Sequence, residues 1–212
     1  MPNVLRNRAA VVALVLVSVA AAGCTGETPG TATPTPETSP SSASSAAPED
    51  PNVPKVANPL DASAFVGDVC KLLSPAAAAE LGFTEPGKSS NDTSNDTSNP
   101  DCSWRIRGKA DGLHVILGSG NRDKGMGGLA GLHKAKKSGQ LRFLEPGPDV
   151  DGYPTVYFGL RDRRASGNCD LAVGVADDLA ISAHAGGYDN EQQACGNAQK
   201  AVSAMIKTLK GA

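Results

Sequence analysis

Five cysteines in 212 residues set the strongest constraint on this chain. Four of them, Cys70, Cys102, Cys169 and Cys195, fall after residue 60, while Cys24 stands apart near the start. An even set of four with the odd cysteine set aside is what a disulfide-bonded domain in an oxidising compartment requires. The chain is otherwise poorly supplied with large core-forming groups, with four Phe, three Tyr and one Trp. Two bridges would therefore carry a large share of a net stability that is small in any domain of this size.

The isolated cysteine has its own context. Arg6 and Arg8 are the only charged side chains before Glu27, and between Ala9 and Ala22 every residue except Ser18 is Ala, Val or Leu. A positive start followed by a short apolar run is the layout of an export signal. As a helix those residues would rise about 21 Å against a hydrocarbon core of roughly 30 Å, too little for a comfortable span. Ala21-Ala22-Gly23-Cys24 resembles a lipobox, with Ala21 where Leu is usual. Residues 1–23 are therefore expected to be a lipoprotein signal peptide and Cys24 the lipidated residue. A second acyl chain on one residue turns marginal attachment into a stable anchor.

From Thr25 to Pro59 the composition changes abruptly: 26 of 35 residues are Ser, Thr, Pro, Ala or Gly, and aromatic residues, Leu and Ile are absent. Such a segment has little with which to build a core. Residues 24–59 are expected to be a disordered tether, spanning roughly 30 Å as a flexible coil and about 100 Å at its extended limit. Residues 60–212 remain for the domain. Without Arg6, Arg8, Lys55 and the tether acids they hold 17 basic and 18 acidic side chains, which argues against a nucleic-acid partner.

Within that domain Asp61 is placed to cap a short helix reaching Cys70 or Leu72, with Leu60 and Phe65 as a hydrophobic staple. Ser74-Pro75 starts a second helix that Gly82 stops. The repeated Asn-Asp-Thr-Ser at 91–94 and 95–98 is turn chemistry and reads as an exposed loop, in preference to glycosylation at Asn91 and Asn95 or calcium binding by Asp92, Asp96 and Asp101. Alternation then places Cys102, Trp104 and Ile106 on one strand face, and Leu113, Val115 and Leu117 on one face of the next. A helix is expected at 128–138, and strands at 141–145, 155–160, 169–176 and 179–183. The last element is an amphipathic helix capped by Asp189 or Asn190, because Cys195, Ala198, Ala201, Val202, Met205, Ile206 and Leu209 recur at helical spacing.

The expected fold is α+β, a single antiparallel sheet of five to six strands with helices packed on one face. Cys169 shares the inward strand face with Leu171, Val173 and Val175, and Cys195 lies on the apolar stripe of the last helix. A 169–195 bridge would staple helix to sheet, leaving 70–102 as the other; four cysteines allow three connectivities.

The segments Cys70-Lys71-Leu72-Leu73, Cys102-Ser103-Trp104, Gly128-Leu129 with Leu132, Val150 to Pro154, Cys169 through Val175, and Cys195 follow one another behind the lipobox. In that order they resemble a family of actinobacterial lipoproteins, the domain of unknown function 3558 family (DUF3558). The resemblance covers roughly residues 58–210. It implies export and the fold type, brings no established activity, and adds a role as accessory to a secretion system as an alternative.

No catalytic constellation emerges. Gly118-Ser119-Gly120 follows a strand as a phosphate loop would, but Asp123 and Met126 stand where a dinucleotide fingerprint needs Gly and a P-loop needs Lys, so a flexible loop is expected. His114, His133 and His184 lack metal-ligand spacing and are read as surface or edge-strand residues, with no metal and no cofactor expected. Neither a Gly-x-Ser-x-Gly elbow nor a Ser-x-x-Lys pair is present. The candidate anion-binding residues are Arg105, Arg107, Lys134, Lys136 and Lys137, with Lys109, Arg142, Arg161, Arg163 and Arg164 nearby in sequence. The expected protein is a non-enzymatic binding or assembly module, lipid-anchored through Cys24 on the extracytoplasmic face of the cell membrane. Its expected partner is a cell-wall or envelope protein. The alternatives are an envelope hydrolase and a lipid or glycan carrier, for which Ala172, Gly174 and Ala176 would leave room.

Overall fold

The computed structural model describes residues 50–89, 99–108 and 112–211. The alternating segments form six strands among these residues: β1 (Asp101–Arg105), β2 (Gly112–Leu117), β3 (Phe143–Pro146), β4 (Thr155–Gly159), β5 (Cys169–Ala176) and β6 (Leu179–Ala185). They make one sheet in the order β1-β2-β6-β5-β4-β3, with every neighbouring pair antiparallel. β5 and β6 are a hairpin turned at Asp177-Asp178, and they hold the middle of the sheet.

Four α-helices accompany them: α1 (Pro75–Glu80), α2 (Ser119–Asp123), α3 (Gly128–Lys137) and α4 (Glu191–Lys210). The Ser74 hydroxyl accepts from the Ala77 amide at 3.2 Å to start α1. Gly82, at φ +89°, ends it, with the Phe83 amide reaching the Ala78 carbonyl at 2.9 Å. That is the Schellman closure a left-handed glycine permits. Asn190, rather than Asp189, caps α4 by accepting from the Gln193 amide at 3.0 Å. The predicted stripe of α4 is buried along its length, from Cys195 to Leu209.

The α+β class, the single antiparallel sheet and both bridges agree with the sequence reading. Cys169 is bonded to Cys195, and Cys70 to Cys102. The helix expected from Asp61 is instead two 3-10 turns, Ser63–Phe65 and Val69–Leu72. Asp61 still accepts from the Ser63 amide at 2.8 Å, but Asp68 is extended and breaks the run before Cys70 reaches its partner.

The helices do not all lie on one face. Leu171, Val173 and Val175 of β5 and Leu179, Ile181 and Ala183 of β6 join the α4 residues and the 3-10 turns in the main core. On the opposite face α3 sets Leu129 against Val156, Ala172 and Ala180. β5 shows why: its even positions, Ala172 and Gly174, are as buried as its odd ones, and a strand apolar on both parities needs covering twice. The space beside these small residues is filled. A methyl group built on Gly174 would lie 3.1 Å from Leu129 and 3.2 Å from Val56, so the missing side chain there serves close approach.

Residues 50–59, expected to belong to the tether, lie against the domain instead. Val56 is buried, its amide donates to Asp177 at 3.0 Å, the Leu60 amide donates to the Val175 carbonyl at 2.8 Å, and Tyr153 donates its hydroxyl to the Asn58 carbonyl at 2.9 Å. Residues 50–59 are thus a strap on the domain, which the low-complexity composition around Val53 and Val56 hides. The hydrogen bond from Lys137 and those from Asn52 hold the Asp50 carboxyl near 2, well under its usual 3.8.

The two bridges close loops of 32 and 26 residues, each worth about 3.5 kcal/mol in the chain-entropy treatment. Replacing Cys169 and Cys195 together by Ser should lower the unfolding free energy by about 3 to 4 kcal/mol, read from urea denaturation followed by Trp104 fluorescence. A loss under about 1 kcal/mol would show that this bridge is not a principal support.

Candidate functional site

α3 covers only part of its side of the sheet. Over β1, β2 and β6 that face carries the even-numbered positions of β2 and β6, and the register sets them in a row. Ser103 lies opposite His114, His114 opposite His184, and His184 opposite Asp170. Two carboxylates fix the imidazoles. His184 Nδ1 lies 2.9 Å from Asp170 Oδ1, and His114 Nε2 lies 2.6 Å from Asp101 Oδ2, diagonally across β1 and β2. The two rings are tilted by 33° with centroids 5.7 Å apart, and Phe158 makes a T-shaped contact with His184 at a centroid distance of 5.5 Å. Arg163, from the loop before β5, donates to the second Asp170 oxygen at 3.2 Å.

The row lines a shallow hollow of about 230 Å³ that also takes in Arg105, Asn168 and the Gly186 backbone. Its layering is uneven. The Asp170 side chain in its lining is 13 % exposed, as is Asp101 behind His114, while His114 is 42 % and Arg163 is 46 % exposed. Burial alone would push the Asp170 carboxyl upward, but the hydrogen bond and charge of His184, followed by those of Arg163, outweigh it and hold it below the usual carboxylate value. His184 Nε2 is buried and has no hydrogen-bond partner. A carboxylate bound to one imidazole nitrogen fixes the ring and leaves the other nitrogen to serve a ligand or a proton. Among the described residues no group of three or more His, Cys, Asp or Glu side chains could hold a metal ion.

A second hollow continues along the same strands, where Ile116 follows His114 on β2 and Ser182 precedes His184 on β6, with α3 as its wall. Asn121, Gln140 and Ser182 are among its polar groups and Met126 and Leu132 among its apolar ones. Gly118 borders it, and Gly118-Ser119-Gly120, expected as a flexible loop, instead leads into the short helix α2, with the Gly118 amide bonded to the Ala180 carbonyl at 3.0 Å.

A family model described as "Protein of unknown function (DUF3558)" matches residues 19–208. The chain belongs to the DUF3558 family. Neither a curated protein nor a solved structure matches this DUF3558 chain. No helix of its described residues is long and apolar enough to cross a membrane.

The candidate anion-binding residues of the DUF3558 domain are divided. Arg105 lines the His114–His184 hollow, whereas Lys134 and Lys137 line another beside Asp50, Lys55 and Asp177. Lys137 is paired with Asp50, Lys136 donates to the Arg142 carbonyl at 2.6 Å, and Arg107 lies 3.7 Å from Glu85. Arg164 is structural, bonded to Asp162 and Glu145 between the rings of Phe143 and Tyr157. Lys109 and the repeat at 91–98 fall outside the described residues, as does Cys24. Reading the histidines one by one missed the row. His114, His184 and Asp170 each break the apolar pattern on the same strand parity, a signal that becomes informative only once β2, β6 and β5 are known to be neighbours.

Because the folded Asp170 carboxyl titrates below its unfolded value, its stabilising share is fully present above about pH 4 and is lost as pH falls through the folded value. Asp170→Asn should therefore destabilise the domain at neutral pH and make its stability fall less steeply below about pH 4 than the wild type, measured by thermal melting across pH 2 to 7. Parallel melting curves for the two proteins over that acid range would contradict this role for Asp170.

Proposed function

We propose that this DUF3558 chain is a membrane-anchored extracytoplasmic lipoprotein, attached through Cys24, whose domain is a non-enzymatic binding module of the cell envelope. The observation that carries the binding reading is the open half of the sheet face. There two shallow hollows run in series along β2 and β6, floored by side chains that the strand register fixes in place. An open groove on a rigid sheet suits recognition of an extended partner, whereas turnover of a substrate favours a deep, water-excluding pocket. The anchor reading is supported by the charge pattern before Glu27, the apolar run to Ala22 and the small residues leading into Cys24.

An envelope hydrolase is the second reading, and the Asp170–His184 pair favours it, since a carboxylate-oriented imidazole is the usual general base. The two readings diverge on His184→Gln, which would abolish turnover in a hydrolase and leave a binding module able to retain its partner.

Three substitutions test the proposal in cells. Cys24→Ser should move the protein from the membrane fraction to the soluble fraction, with loss of the acylated N-terminal peptide by mass spectrometry. A photo-reactive residue at Gln140, which lines the groove, should give a discrete envelope adduct, and one at Lys200 on the outward side of α4 should not. Adducts at Lys200 alone would place the partner on the other face.

A further inference from the structure

The hollow at His114 is built with its negative charge inside and its donors outside. Both carboxylates are engaged: Asp170, in the lining, holds His184 and Arg163 through separate oxygens, and Asp101, outside it, holds His114. Above them stand the half-exposed His114 and Arg163, joined by the exposed Arg105. Arg163 reaches Asp170 through one terminal nitrogen and a guanidinium carries five N–H donors, so it can hold the floor and still face a ligand. Among the described residues, a group arriving from solvent therefore meets the guanidinium donors of Arg105 and Arg163, and the second ring nitrogen of His114 as a donor when that ring is protonated, before it meets Asp170. Charge-assisted hydrogen bonds from such donors are the strong means of holding an oxyanion.

The continuation of the hollow shows what carries that oxyanion. Along β2 and β6 the lining changes from charged groups to uncharged amides and a hydroxyl, Asn121, Gln140 and Ser182, beside the apolar Met126 and Leu132. Amides and a hydroxyl next to apolar surface match a hydroxyl-rich chain with C–H faces. An acyl chain would instead want an apolar mouth, and of the exposed large hydrophobic side chains among the described residues, Val66, Met126 and Leu160, none lines the His114 hollow.

We propose that the DUF3558 domain binds an anionic glycan, with the phosphate or carboxylate held by Arg105, His114 and Arg163 and the sugar lying along β2 and β6 toward Gln140. Asp101 and Asp170 are positioning residues that orient the donors from beneath. This rests on the binding-module reading above and names its ligand.

Isothermal titration of the intact chain with glucose 1-phosphate tests it, with glucose as the uncharged control and sulfate as competitor. The expected result is binding of glucose 1-phosphate, displacement by sulfate and at least about tenfold weaker binding of glucose. Arg105→Gln and His114→Gln, each checked for folding by its melting curve, should weaken the phosphate ligand by about tenfold, and Lys200→Gln should leave it unchanged. Arg163→Gln should weaken it too; it frees Asp170 as His114→Gln frees Asp101, so both are read beside their melting curves. Equal affinity for glucose and glucose 1-phosphate, or wild-type affinity in both Arg105→Gln and His114→Gln, would overturn the proposal. Capture by phosphatidylglycerol vesicles without any binding of glucose 1-phosphate would also overturn it, assigning the phosphate to a lipid headgroup. An adduct at Gln140 that survives Arg105→Gln and His114→Gln would leave the binding face standing while removing its oxyanion role.

Discussion

Everything in this domain is hung on the β5–β6 hairpin and its covalent tie to α4. β5 and β6 sit at the middle of the sheet, and the Cys169–Cys195 bond joins the first residue of β5 to the first turns of the helix that covers it. With few aromatic rings available, the core is made of small and aliphatic side chains packed from α4 onto Leu171, Val173, Ile181 and Ala183. The second bond, Cys70–Cys102, does the same for the edge strand β1 by fastening it to the 3-10 turns. The sheet edges are thus held by covalent and backbone links where a larger core would have held them by area alone.

The parts of the fold that were legible from sequence are those whose signal is local and periodic. The span of β5 and the caps and apolar stripe of α4 follow from alternation, helical spacing and a polar cap. What was not legible depends on which strand lies beside which. The covering of Ala172 and Gly174 by Leu129, and the packing of Val56 under Asp177, are contacts between distant segments that short-range patterns do not encode. The same holds for the site. His114 and His184 are 70 positions apart and each alone is an unremarkable polar residue on a strand; only the register, His114 opposite His184 opposite Asp170, makes them a group.

Basic residues show the difference between composition and arrangement. Arg164 is bound between two rings and three carboxylates and stiffens the β3–β4 edge, whereas Arg163, its neighbour, turns to Asp170 and the hollow. Charge counting gives the two the same weight. Burial separates them: the Arg164 side chain is 17 % exposed and the Arg163 side chain is 46 % exposed, so one serves the fold and the other is available to solvent.

The strap at residues 50–60 also sets a load path. Tension arriving along the chain enters at Asp50 and passes into the Asp177–Asp178 turn and the end of β5 through the bonds of Val56 and Leu60. The Gly186 end of β6, where the hollow opens, lies about 20 Å away along the strand. A pull at Asp50 would therefore be borne at the turn end of the hairpin, with the length of β6 between it and the rim of the hollow.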